Sequence, residues 1–289
     1  MKKLLVIALC LMVCISVSAD DKELQKLQQI LNKTRGSWQA DHTSVSKLSN
    51  KEQMQLCGLL PGIMDGNKLP KDQPYDGREV VRGSHEAPHT PIKNQGSCGS
   101  CYSFGASTSY ESYCMLKGYG TYDLSEQDFM MKAKAIGPSG GCSGWWLDTS
   151  MNLLKNNGVC NESACPYKAY EQECNQNPVH FIRSWSRTTS LGQIKKAIRD
   201  NGAVYVGFAV YSDFSYYNGG IYKYTSGYLR GYHAVAIVGY NDSQQYFKVK
   251  NSWGTGWGEG GYFRIAYSEM RSKVKFATCF GGAYYITGK

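Results

Sequence analysis

The sequence has no run of five or more basic residues, no internal repeat and no low-complexity tract. Its 32 glycines follow no triplet period, which excludes a collagen-like rod. Past the N-terminus no stretch is long and apolar enough to span a bilayer, for which about 20 residues are needed. The net charge is only +9, so neither nucleic acid nor a membrane surface is the default partner. Charged residues make up 19% and hydrophobic ones 42% of the 289 residues, which excludes a disordered chain. That length suits one or two domains. Two residue types are plentiful instead: 22 tyrosines and 11 cysteines.

The N-terminus bears on compartment. Lys2 and Lys3 precede the apolar run Leu4 to Val17, and Val17-Ser18-Ala19 offers small residues for cleavage. This pattern predicts a secretory signal peptide over 1–19, and hence an oxidising environment for the cysteines. Cys10 and Cys14 leave with the signal. Nine remain: Cys57, Cys98, Cys101, Cys114, Cys142, Cys160, Cys165, Cys174 and Cys279. An odd number implies at least one free thiol. Asn32, Asn161 and Asn241 head glycosylation sequons.

Residues 20–68 read as a removable pro-segment. Leu24, Leu27, Ile30 and Leu31 recur at helical spacing between Asp20 and Lys33, and a turn-rich run from Pro61 to Pro74 follows as an exposed linker. Linkers of this kind concentrate proteolysis. Helical patterns then cover Ser97 to Met115, a stretch opening at Ser125, and Trp145 to Lys155. From Phe181 onward the texture is strand-like, at Val204–Val210, Gly220–Tyr224, His233–Tyr240, Tyr246–Lys250 and Gly261–Ala266, with one helix over Leu191–Asp200. Helices followed by strands predict an α+β fold of two lobes, roughly 69–180 and 181–289.

Cys101 opens a predicted helix, where the partial positive charge and unpaired N–H groups favour thiolate over thiol. A cysteine nucleophile also needs a base, and the base needs orienting. A hairpin centred on Asp242 would set His233 opposite Asn251, with Cβ atoms about 4.5–5.5 Å apart. The asparagine amide oxygen could then fix the imidazole tautomer. The pattern His85-Glu86-Ala87-Pro88-His89 matches a zinc-protease motif, but Pro88 argues against the helix that motif requires. No metal and no cofactor are expected.

Cys98-Gly99-Ser100-Cys101-Tyr102 resembles the nucleophile motif of papain-family cysteine proteases. His233 and Asn251 lie 132 and 150 residues after Cys101, as the family's spacing requires. Asn94-Gln95-Gly96, Gly141-Cys142-Ser143-Gly144, Pro166-Tyr167 and Asn251-Ser252-Trp253-Gly254 extend the resemblance, which runs from about Leu69 to the C-terminus. The subgroup it is most similar to is cathepsin B, on Trp38-Gln39-Ala40, Leu56-Cys57-Gly58, Leu69-Pro70, Tyr75–Glu79 and Val210–Phe214.

The resemblance implies a two-lobed papain-like fold, with a helical left lobe, a β-barrel-like right lobe and the cleft between them. It assigns Cys101 as nucleophile, His233 as its ion-pair partner and Asn251 as the orienting residue. The Gln95 side chain and the Cys101 N–H become the oxyanion hole. Trp253 covers the His233–Asn251 bond, and Cys98 pairs with Cys142. Gly144, Trp145, Trp146, Leu147, Tyr284 and Trp253 fall at substrate-binding positions.

There are departures. Between Gly158 and Leu191 there is no room for the occluding loop of cathepsin B, and His180 stands alone, which favours an endopeptidase. Tyr284 occupies the place of the acidic residue at the base of the main specificity pocket. Trp145 stands in place of a glycine, and its ring could equally be cleft wall or core. Cys174 matches one partner of the family's second disulfide, but Lys132 falls near the other. Pairing of Cys114, Cys160, Cys165, Cys174 and Cys279 stays open, with local pairing among Cys160, Cys165 and Cys174 available.

The expected partners are protein and peptide substrates, the chain's own pro-segment as intramolecular inhibitor, and cystatin-like inhibitors. No nucleic acid and no membrane span are expected, and the protein should be a monomer. Its destination would be secretion or a lysosome-like vacuole. Two other readings are an inactive papain-like binding protein and a secreted thiol-disulfide oxidoreductase. The last would need Cys98 free.

Overall fold

The computed structural model describes residues 19–62, 71 and 82–289. The signal stretch, most of the linker, Leu69-Pro70 and Tyr75–Glu79 lie outside the described residues. Among the described residues no helix is long and apolar enough to cross a membrane.

The described residues form six α-helices and nine strands. Helix α1 (Ala19–Thr34), strand β1 (Trp38–Ala40) and helix α2 (Asn50–Gln55) come first, followed by β2 (Ser84–Glu86). The helical half holds α3 (Cys101–Leu116), α4 (Glu126–Ile136) and α5 (Leu147–Asn156). The strand-rich half holds β3 (Ser184–Thr188), α6 (Leu191–Asn201), β4 (Val204–Tyr211), β5 (Tyr217–Tyr222), β6 (Leu229–Asn241), β7 (Tyr246–Lys250), β8 (Tyr262–Ala266) and β9 (Ala283–Gly288). This is the expected α+β arrangement, with every predicted helix and strand present.

Three helix starts have a local cause in a serine cap. Ser125 caps α4 by accepting from the Asp128 N–H, and Ser190 caps α6 through Gln193. Ser49 and Glu52 form a reciprocal capping box on α2. Helix α3 is buried on all sides from Cys101 to Cys114, as a helix wedged between two layers must be.

The sheet runs in the order β1-β5-β8-β7-β6-β4-β9-β3, with β2 added along β6. All pairs are antiparallel except β5 with β8. Strands β1, β2, β3 and β9 were not foreseen. His85 and Glu86 lie in β2, so the histidine pair of the zinc-like motif is not on a helix.

One large apolar cluster fills the strand-rich half around Phe208, Phe214 and Phe263, and Leu24, Leu27 and Leu31 of α1 join it. Trp38 of β1 packs its ring at a tilt against Tyr222, centroids 5.2 Å apart. A second cluster fills the helical half, with Tyr205, Ala234, Tyr284 and Ile286 contributed from the sheet.

Candidate active site

Cys101 is the first residue of α3, and His233 comes from the middle of β6. They meet because α3 packs across β6: the Ala234 N–H points to the Cys101 sulfur at 3.4 Å. The Cys98–Cys142 disulfide closes the turn ahead of α3, so Cys98 is not a free thiol.

His233 and Asn251 are joined, Nε2 to Oδ1, at 2.8 Å. The expected register is corrected. Ala236 faces Lys250, and the pairing shifts between Ile237 and Gly239. His233 and Asn251 are therefore not directly opposed. A displacement of two residues keeps both side chains on one sheet face, and diagonal neighbours remain within reach of long side chains. Trp253 packs its ring on the His233 imidazole, centroids 4.7 Å apart. Gln95 is buried, and its amide is held by the Ser252 hydroxyl, which donates to Oε1 at 2.7 Å.

Residues 56–60 cross directly over these groups. The Leu56 carbonyl accepts from Gln95 Nε2 at 3.2 Å and stands 3.1 Å from His233 Nδ1. The Gly58 N–H lies near the Cys101 sulfur and favours its thiolate. Leu59 N–H donates to the Tyr232 carbonyl, Trp145 N–H to the Gly58 carbonyl, and Leu60 N–H to the Trp145 carbonyl, all at 2.9–3.1 Å. The crossing is tight: a Cβ on Gly58 would stand 1.9 Å from the Gly99 carbonyl oxygen, so only glycine passes there.

Just beyond, the Leu59 side chain enters a pocket. A Cβ on Gly207 would collide with Leu59 Cδ2 at 2.3 Å and would lie near Leu147 and the Cys279 sulfur. Ala234 and Tyr284 belong to the same apolar cluster. Gly144 backs onto the crossing chain, its Cβ position 2.8 Å from the Gly58 carbonyl oxygen.

Trp145 offers only its backbone to this segment. Its ring turns into the helical half, against Gly137, so it is core rather than cleft wall. Trp146 donates from Nε1 to the Pro61 carbonyl at 3.2 Å. Tyr284 is buried, its hydroxyl donating to the Phe280 carbonyl.

The covering segment changes the electrostatics. The helix start and several N–H groups favour a Cys101 thiolate, but burial outweighs them and pushes the thiol up to about 12. Both nitrogens of His233 face oxygen acceptors, which favours its protonation, yet burial pulls the imidazole down to about 4. The expectation of a lowered Cys101 pKa is thus corrected for this covered state. In the covered state burial thus works against both charged forms, the thiolate and the imidazolium.

Two supports were not foreseen. Tyr167 donates to the Gln95 carbonyl at 2.8 Å and shares a 2.6 Å hydrogen bond with Ser100, the residue before Cys101. Its membership of the Pro166-Tyr167 match was the only signal. The other is the Leu56 carbonyl, a backbone group without a side-chain signature. Of the five cysteines whose pairing was open, Cys165 and Cys174 are bonded, while Cys114, Cys160 and Cys279 are free, as is Cys57.

Comparison with known proteins bears on this geometry. The family described as papain family cysteine protease matches residues 73–280. Digestive cysteine proteinase 2 of Homarus americanus is 35% identical over 61% of the chain. Fruit bromelain of Ananas comosus is 31% identical over 83% of it. Cathepsin B-like CP2 of Giardia intestinalis is 31% identical over 70% of each chain. The chain spans 58% of the lobster proteinase and 66% of fruit bromelain. Among solved structures, procathepsin L2 proteinase of Tenebrio molitor superposes with a TM-score of 0.76 at 26% identity, covering 93% of this chain and 90% of that one. Procathepsin B S9 of Trypanosoma congolense gives 0.77 at 20% identity, covering 93% and 97%, a likeness of fold. The relatives thus mix several subgroups.

Proposed function

Because the chain belongs to the papain family of cysteine proteases, we propose that it is a cysteine endopeptidase made as a zymogen. Cys101 is the nucleophile, His233 its base and later the proton donor to the leaving amine, and Asn251 holds the imidazole. Gln95 Nε2 and the Cys101 N–H stabilise the developing oxyanion. The sulfur attacks the peptide carbonyl carbon, the C–N bond breaks, and water hydrolyses the acyl-enzyme. Residues 20–68 are the pro-segment, and cleavage near 67–71 removes it.

The observation that carries this reading is the Leu56 carbonyl, held between Gln95 Nε2 and His233 Nδ1 beside Cys101. A peptide carbonyl thus occupies the place where a substrate carbonyl would be polarised.

A cathepsin B-like subgroup without the occluding loop fits the pro-segment motifs. His180 supports the endopeptidase assignment: it is tied to Asn161 at 2.7 Å and to Tyr110, so it is not a free receptor for a substrate carboxylate. The signal peptide points to the secretory pathway, with secretion or a lysosome-like vacuole as destination.

The deciding experiment is cleavage of a peptide blocked at both ends, under mildly acidic, reducing conditions, by the processed protein and by Cys101→Ala. Cutting by the wild type alone is expected. Cutting by neither moves the assignment to a binding relative or an exopeptidase.

A further inference from the structure

Outside the cleft, three cysteines and one carboxylate meet at the start of α4. The Cys165–Cys174 disulfide closes a short loop. Cys160 is free and buried. Its sulfur, the Cys174 sulfur and an Asp128 carboxylate oxygen all lie within 4.8 Å of one another.

One residue holds the two alternative partners of Cys174 in place. The Ser125 N–H donates to the Cys160 carbonyl at 3.0 Å, and its hydroxyl donates to the Cys165 carbonyl at 2.6 Å. Asp128 accepts from the Cys160 N–H at 2.9 Å. Cys160 and Cys165 are thus presented side by side to the same sulfur.

We propose that Cys160, Cys165 and Cys174 form a thiol–disulfide exchange site that controls the brace behind the nucleophile. The Cys160 thiolate attacks the Cys174 sulfur. The Cys160–Cys174 bond forms and the Cys165–Cys174 bond breaks. Cys165 leaves as a thiolate and takes up the proton that Cys160 gave up. No outside oxidant is consumed, because one disulfide replaces another.

The brace is the loop that the present bond closes. It carries Tyr167, which holds the Gln95 carbonyl and Ser100 and packs edge-on against Phe104 at 4.8 Å. It also carries Glu171, which accepts from the Cys142 N–H. Moving the tie from Cys165 to Cys160 lengthens the closed loop and releases Cys165-Pro166-Tyr167 from its anchor. Burial, with Asp128 adding to it, pushes the Cys160 thiol up to about 11, against the opposing pull of Ser125 and Lys132. Exchange is therefore slow at neutral pH, on the minutes-to-hours scale of uncatalysed rearrangement, and Cys165–Cys174 is the resting form.

The test has two arms. Full-length Cys101→Ala protein, which cannot digest itself, is incubated for hours in a glutathione redox buffer and its disulfides are mapped by mass spectrometry without reduction. A mixture of Cys165–Cys174 and Cys160–Cys174 peptides is expected. Cys165–Cys174 alone overturns the proposal. So does a reduced protein that keeps all three thiols and binds one zinc ion, which would mark a cation site.

In the second arm, processed Cys160→Ser and Cys165→Ser proteins cleave the blocked peptide. Cys165→Ser, oxidised by the disulfide form of glutathione and assayed without added reductant, should form Cys160–Cys174 and turn over about tenfold more slowly, short of the roughly 10²-fold that a 1 Å misplacement costs. Equal rates, or a Cys165→Ser protein with Cys160 and Cys174 both open to alkylation, overturn it. The map decides even if Cys165→Ser does not fold. Only the second arm rests on the peptidase reading, so cleavage by neither variant, with both disulfides mapped, removes that reading and leaves the exchange site standing.

Discussion

At the scale of single residues, the site depends on groups that aim other groups. Ser252 occupies Gln95 Oε1, which leaves Nε2 pointing at the carbonyl position. Gln95→Ala should lower kcat/KM by about 10²–10³, the usual effect of losing one oxyanion donor, with a smaller loss of melting temperature because the Ser252 hydroxyl and the Cys98 carbonyl lose a buried partner. Steady-state kinetics on the processed enzyme check this, and a loss below tenfold would remove Gln95 from the oxyanion site. Cys101, His233 and Asn251 were legible because chemistry restricts their types and the family restricts their spacing. Leu56 was not, because its part is played by a backbone carbonyl that any residue would supply. The pairing of His233 with Asn251 was right as a contact and wrong as a register. A bulge near Val238 leaves no mark in an apolar strand.

At the scale of elements, α1 and β1 act as an anchor for the covering segment. Leu24, Leu27 and Leu31 bury one face of α1 against the strand-rich half. Tyr216 hydrogen-bonds Asp20, and His42 lies between Asp20 and Asp21 at about 3 Å from each. Leu27→Ala removes a buried side chain, a change that typically costs about 2–5 kcal/mol. In full-length protein it should speed proteolysis within residues 19–37 and raise the rate of Cys101 alkylation. Unchanged alkylation would show that residues 56–60 hold the cleft shut without α1. The longer helices of this half-and-half fold were readable from their 3.6-residue periodicity, with Ser125 as a cap, whereas the six-residue α2 was not foreseen. Strands β3 and β9 were not, because each is short and pairs with the other about a hundred residues away in sequence. Likewise β1 takes its strand form from β5 rather than from its own three residues.

At the scale of the whole molecule, two buried groups set opposite responses to acid. His233 lies near 4 in the covered state, against about 6.5 when solvated. The uncovered form therefore gains a proton first as pH falls. Stability of the cover is fully present above 6.5 and is lost progressively down to 4, by about 3 kcal/mol in total. Cys101 alkylation in the full-length protein should accelerate over that window. A pH-independent rate after correction for the reagent would exclude His233 as the sensor.

Asp213 works the other way. It accepts from the Thr225 and Ser226 N–H groups and from the Tyr222 hydroxyl, yet burial raises it to about 6. Its contribution to folding is fully present below the unfolded value of about 3.9 and is lost as pH rises to 6. Asp213→Asn should flatten the melting temperature between pH 4 and 6 without altering the alkylation window. Calorimetry across that range tests it, and an unchanged slope would point to other carboxyls.

The narrow passage at Gly58 decides how the covering strand can move. A slip of one residue either way would bring Cys57 or Leu59 to a point where even a first side-chain carbon meets the Gly99 carbonyl. The strand therefore behaves as a keyed bolt, seated in one register or withdrawn. No intermediate register offers a different carbonyl to Cys101. A precursor population with partial activity is, on this account, a mixture of bolted and open molecules rather than a uniform, half-open one.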